Sequence, residues 1–122
     1  MIRIIVADDE AMFLTMAEFI LKKEGYDVKC VSSGEECLAL YSQQGAELIM
    51  LDVLMHGESG FEVYERLREQ GAKVLVLFVT AADDADTIAR VRSLGASFCR
   101  KPFTREELSG AVRAVLEKEV LQ

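Results

Sequence analysis

Short apolar runs alternate with longer helical stretches along this chain, and that alternation restricts the fold more than any other feature. Residues 2–7 form a short apolar run ending in acids, and residues 48–51 and 74–79 are continuous apolar runs. Runs of this length without polar alternation suit strands covered on both faces of a sheet. Residues 28–31 form a brief alternating run, and residues 96–99 a fifth, weaker one. The segments between them carry helix signals. Residues 11–24 are strongly apolar and stop at Gly25, a residue suited to the left-handed turn that ends helices. Ser33-Gly34-Glu35-Glu36, Ser59-Gly60-Phe61-Glu62 and Thr104-Arg105-Glu106-Glu107 each fit a capping box, and Phe103 with Leu108 fits a hydrophobic staple around the third. Residues 84–94 read as a fourth helix with a thin stripe of Ile88, Val91 and Leu94. The last helix carries Leu108, Ala111, Val112, Val115 and Leu116 on one face. Five strands alternating with five helices predict one α/β domain over residues 1–122. Right-handed crossovers make it a doubly wound parallel sheet in a three-layer α/β/α sandwich.

Composition narrows the function. A chain of 122 residues, 51% hydrophobic and 29% charged, has enough apolar surface for a single packed core. A net charge of −7 repels phosphate backbones and argues against direct nucleic-acid binding. Asp8, Asp9 and Glu10 interrupt the first apolar run, so it does not read as a signal peptide. No apolar stretch approaches the ~20 residues of a membrane helix, and a cytoplasmic location is expected. Cys30, Cys37 and Cys99 are odd in number and widely spaced. They suggest small core residues rather than a disulfide framework or a zinc site.

The chemistry collects where strands end. The first strand ends in Asp8-Asp9-Glu10, the third in Asp52, the fourth in Thr80 and the fifth in Lys101-Pro102. Strand C-termini of a parallel sheet share one edge, and ligands bind there where the strand order reverses. Singly, each residue has an ordinary reading: acids favour a helix N-terminus, and a threonine or lysine is common in a loop. Jointly they supply a carboxylate nucleophile, acids for a hard divalent cation, and a lysine and a hydroxyl for phosphoryl oxygens.

In this order and spacing, the stretches Ile4-Ile5-Val6-Ala7-Asp8-Asp9-Glu10, Leu51-Asp52-Val53-Leu54-Met55, Gly60-Phe61-Glu62, Thr80-Ala81, Gly95-Ala96 and Lys101-Pro102-Phe103 resemble the receiver domain of bacterial two-component response regulators over almost the whole chain. The resemblance implies a flavodoxin-like fold with strand order 2-1-3-4-5. It implies Asp52 as phosphoacceptor, and Mg²⁺ held by Asp8, Asp9, Asp52 and the backbone carbonyl of Leu54. It implies Thr80 and Lys101 as the groups that bind the phosphoryl oxygens, Phe98 as a switch aromatic, and a cis bond before Pro102.

The sequence also departs from the family pattern. His56 stands where proline is usual and reads as a solvated loop residue. Ser59 replaces a common acid. Leu54 and Ala82 are apolar where polar side chains are frequent, which bears on how long a phosphoryl group survives.

The implied function is a signalling switch rather than an enzyme, although such a domain assists its own phosphorylation and dephosphorylation. A sensor histidine kinase or phosphotransfer protein would supply the phosphoryl group. The face of helix four, strand five and helix five would then act on a downstream effector protein or a fused output domain, with a phosphorylation-dependent dimer left open. The alternative is an aspartyl-phosphate hydrolase of the haloacid-dehalogenase-like type, which would need a second aspartate where Leu54 stands. Flavodoxin-like cofactor binding is disfavoured because three acids would meet the incoming phosphate. A pure interaction module is disfavoured by the retention of every site residue.

Overall fold

The computed structural model describes residues 1–56, 58–81 and 85–120, the side chains of 119 and 120 excepted. The elements are β1 Arg3–Ala7, α1 Ala11–Lys23, β2 Asp27–Val31, α2 Gly34–Gln44, β3 Leu48–Asp52, α3 Gly60–Glu69, β4 Leu75–Thr80, α4 Ala85–Ser93, β5 Ser97–Arg100 and α5 Arg105–Val120. The five strands are parallel in the order β2-β1-β3-β4-β5. This is the doubly wound sheet that the sequence predicts.

Strand alternation sorts the apolar residues into two cores. Ile4, Val6, Leu48, Met50, Leu77 and Val79 face α1 and α5, where they meet Phe13, Ile20, Leu108 and Val112. Ile5, Ala7, Ile49, Leu51, Val76 and Phe78 face the opposite way, toward α2, α3 and α4. Both faces are therefore dry, which is why β1 from Ile4 onward, and β3 and β4 up to their last residue, read as apolar runs.

Local signals are honoured unequally. Gly25 follows α1 at φ +93°, a backbone that a side chain would strain, so the helix ends there. Around Thr104 the capping box is complete: Thr104 Oγ1 accepts from Glu107 N at 3.0 Å, and Glu107 Oε1 accepts from Thr104 N at 2.8 Å. The box at Ser33 is half formed. Ser33 Oγ accepts from Glu36 N at 3.1 Å, but the Glu36 carboxylate accepts from Ser32 N and Ser32 Oγ rather than from Ser33 N. Ser59 caps one residue early, accepting from Phe61 N at 3.1 Å instead of from Glu62 N.

Three other details differ from the sequence reading. Leu54–Met55 pairs antiparallel with Glu58–Ser59 ahead of α3, a small feature that no apolar run announces. β5 begins at Ser97, and α4 begins at Ala85, with Asp84 outside the described residues. The three cysteines are free, Cys37 and Cys99 being buried and Cys30 partly so. Among the described residues no helix is long and apolar enough to cross a membrane.

Candidate functional site

Four adjacent strands deliver the site. Asp8 follows β1, Asp52 closes β3, Thr80 closes β4, and Lys101 follows β5, its N–H donating to Thr80 O at 2.8 Å so that it extends the ladder by one residue. Lys101 then joins Pro102 through a cis peptide.

Asp8 is fully buried, and each of its oxygens has one partner. Its Oδ1 accepts from Glu10 N at 2.9 Å, and its Oδ2 accepts from Lys101 Nζ at 2.8 Å. The Lys101 ammonium also lies 4.1 Å from the centre of the Phe13 ring, which favours a cation over its face. The lysine is thereby held between one carboxylate and one aromatic of the α1–α5 core.

Asp52 is buried, and its Oδ1 receives only a long contact from Leu54 N at 3.4 Å. Burial first, and the neighbouring Asp8 second, push its carboxyl up to about 6 from an ordinary 3.8, with Lys101 opposing them. Asp9 is more open. Its Oδ2 accepts from both the backbone N–H of His56 at 2.9 Å and the ring Nδ1 of His56 at 2.8 Å. The ring contact is the main reason that the Asp9 carboxyl is held below its ordinary value.

Asp8, Asp9 and Asp52 each present an oxygen, and the three oxygens lie within 4.8 Å of one another. One lysine is available to offset three carboxylates, and it is already bonded to Asp8. An all-oxygen set with surplus negative charge suits a hard divalent cation such as Mg²⁺, which accepts few carboxylates and completes its shell with water or phosphate oxygens.

The remaining expected residues fall around this centre. Thr80 is buried at the end of β4. Phe98 is half-buried in the α2–α3–α4 core and sits beside Phe78 in the β4–β5 register. Thr80, two residues beyond Phe78, shares that face of the sheet. The Leu54 side chain is 74% exposed, so it stands at the rim rather than in the core. Ala82 lies outside the described residues.

Two contacts were not legible in the sequence. One is the pairing of His56 with Asp9: the ring is solvated, as expected for a loop histidine, yet it is bonded to a site carboxylate. The only available hint is that the loops after β1 and β3 are neighbours in a 2-1-3 order. The other is a tether beneath the same loop, where Glu58 Oε1 accepts from Arg66 Nη1 of α3 at 2.8 Å. Gly60 explains itself in the structure. A Cβ there would lie 2.3 Å from the Asp52 carbonyl oxygen, so only glycine lets α3 start against the end of β3.

Comparison with known proteins identifies the family and the fold. A family model described as the response regulator receiver domain matches residues 4–113. The chain is 35% identical over 117 residues to the alkaline phosphatase synthesis transcriptional regulatory protein PhoP of Bacillus subtilis, covering 95% of this chain and 49% of that protein. It is 30% identical over 118 residues to the transcriptional regulatory protein TrcR of Mycobacterium tuberculosis, covering 96% of this chain and 46% of that protein. The chain thus spans about half the length of these curated relatives. Among solved structures, the chemotaxis protein CheY4 of Vibrio cholerae is similar at a TM-score of 0.88 and 26% identity, over 94% of this chain and 98% of that one. The receiver domain of a putative LuxO repressor protein from Vibrio parahaemolyticus shares the fold at a TM-score of 0.91 and 23% identity, over 98% of this chain and 93% of that one.

Proposed function

The chain belongs to the response regulator receiver domain family of two-component signalling, and from that premise we propose that it is a switch phosphorylated on Asp52. The observation that carries this reading is the buried Asp52 carboxylate beside two further carboxylates and one lysine. In the reaction an Asp52 oxygen forms the new bond to phosphorus. The bond from phosphorus to the donor, a phosphohistidine nitrogen or an acyl oxygen, breaks, and the donor leaves with its electron pair.

Each neighbouring group has work in that step. Burial and Asp8 both favour a protonated Asp52, and a protonated carboxyl is a poor nucleophile. Asp8, Asp9, Asp52 and the Leu54 carbonyl would hold Mg²⁺, and its positive charge would favour the ionised form of Asp52 and offset the charge on the phosphoryl oxygens. Lys101 already reaches the site through Asp8 and is placed to share its ammonium with a phosphoryl oxygen. The Thr80 hydroxyl takes another oxygen by moving inward. Phe98, on the same face of the sheet, fills the space that Thr80 leaves. The α4–β5–α5 surface repacks in response, and that surface passes the signal on.

A sensor histidine kinase or phosphotransfer protein supplies the phosphoryl group. Because the chain spans about half of its curated relatives, the receiver of the signal is either a fused output domain or a separate effector, and both relatives are named as transcriptional regulatory proteins. A cytoplasmic location fits these partners. The hydrolase alternative lacks its acid–base group, since Leu54 offers only an exposed apolar side chain.

The test is incubation with acetyl phosphate and Mg²⁺ followed by intact mass and peptide mapping. We expect one phosphoryl group on Asp52, base-labile, and none in Asp52→Asn. Label that persists in Asp52→Asn at another residue would overturn the assignment.

A further inference from the structure

We propose that His56 biases this site toward Mg²⁺ over Ca²⁺, by restricting Asp9 to one ligating oxygen; the inference rests on the metal-binding reading above. The observation is that one residue sends two donors to one atom. The backbone N–H of His56 at 2.9 Å and its ring Nδ1 at 2.8 Å both meet Asp9 Oδ2. An ionised carboxylate only accepts, so Nδ1 has to carry the hydrogen in this contact. Each carboxylate oxygen has about two lone-pair directions, and two N–H donors use both. Oδ2 then has none left for a metal. Asp9 meets a cation through Oδ1 alone.

That restriction discriminates by ion size. Mg²⁺ is content with monodentate carboxylates in a tight octahedron, whereas Ca²⁺ takes more oxygens and gains from a carboxylate that binds through both. A pinned Asp9 withholds the second oxygen from Ca²⁺ and takes nothing from Mg²⁺. His56 touches the carboxylate rather than the ion, so it is a positioning residue, and partners of this outer kind are known to tune metal sites. A proline at this position would supply neither donor, having no N–H and no ring nitrogen. Alanine would keep the backbone donor and lose the ring. Asparagine would place a side-chain amide N–H at about the reach of Nδ1.

The experiment is paired Mg²⁺ and Ca²⁺ titration of the whole chain, followed by the amide shifts of the loops holding Asp9 and Asp52. We expect the ratio of Ca²⁺ to Mg²⁺ affinity to rise by roughly threefold in His56→Ala. That is below the tenfold or more seen when buried outer partners are lost, because this ring is solvated. The ratio should rise further in His56→Pro and stay near wild type in His56→Asn. A ratio unchanged in His56→Ala overturns the proposal, and so does an equal fall in both affinities, which would mean only a loosened loop. If Mg²⁺ moves no amide in the wild-type loops, the metal-binding reading itself fails and this inference falls with it. Clear shifts with an invariant ratio would sink the His56 role alone.

Discussion

Replacing Asp52 by asparagine should stabilise the metal-free protein near neutral pH, although it removes the central residue of the site. The magnitude follows from the surroundings of Asp52. Its carboxyl titrates at about 6 in the fold against 3.8 ordinarily, because it is buried and faces Asp8. A carboxyl with a raised pKa in the native state holds its proton more tightly there than in the unfolded chain. The stability it contributes is fully present below pH 3.8 and is lost as pH rises through about 6. A gap of about two pH units corresponds to about 3 kcal/mol at ~1.4 kcal/mol per unit. Water at the open edge of the sheet screens part of it, leaving about 1–2 kcal/mol. Asparagine has no proton to lose and a nearly identical shape. Urea unfolding in the presence of a chelator, from about pH 4 to about pH 7.5, should show the two proteins converging at the acid end and Asp52→Asn ahead at the neutral end. Saturating Mg²⁺ should narrow or reverse the gap, since a ligand of the native state stabilises only the protein that binds it well. A difference that stays constant across this pH range would refute the electrostatic argument.

Two further outcomes test the architecture beneath the site. Lys101→Met strands the buried Asp8 carboxylate and should cost on the order of 3 kcal/mol in urea unfolding at neutral pH. Most of that loss should disappear in an Asp8→Asn background, and an equal loss in both backgrounds would mean that the pair is not the cause. Gly60→Ala drives a Cβ into the Asp52 carbonyl and should lower stability by about 1–3 kcal/mol. Gly110→Ala, on open α5 with nothing within 4 Å of the new carbon, should raise it by about 0.5–1 kcal/mol. Thermal melts of the two variants that move in the same direction would contradict this account.

The strands were legible because an apolar run reports burial on both faces directly: β3 and β4 have no polar residue before their last position, and β1 has none after Arg3 at its start. β2 and β5 lie at the sheet edges, where exposed Lys29 and half-exposed Cys30 and Ser97 dilute the pattern. The Leu54–Met55 pairing with Glu58–Ser59 rests on chain reversal rather than on any periodicity, so nothing local foretells it. The capping boxes show the limit of a four-residue motif. It names two bonds, but Ser32 N takes the return bond at Ser33, and Phe61 N takes the capping bond at Ser59. The site was legible for a different reason. In a parallel sheet, strand ends are brought together whatever their distance along the chain, so residue type at each end is enough. His56 and Asp9, 47 residues apart, meet because two loops approach, and their types alone do not say so.

The sorting of alternate strand residues into two separate cores makes adjacent positions answer to different halves of the molecule. Lys101 and Phe13 rest on the α1–α5 side, while Phe98 rests on the other. In the proposed switch, a change at Val79 reshapes the bed beneath the acceptor chemistry, whereas a change at Phe78 alters the give of the layer that must answer it. In that switch, Asp52 and Lys101 would answer first to one face of the sheet, and Thr80 and Phe98 to the other. Substitutions in one core would then bear first on the acceptor, and those in the other on the layer that responds to it.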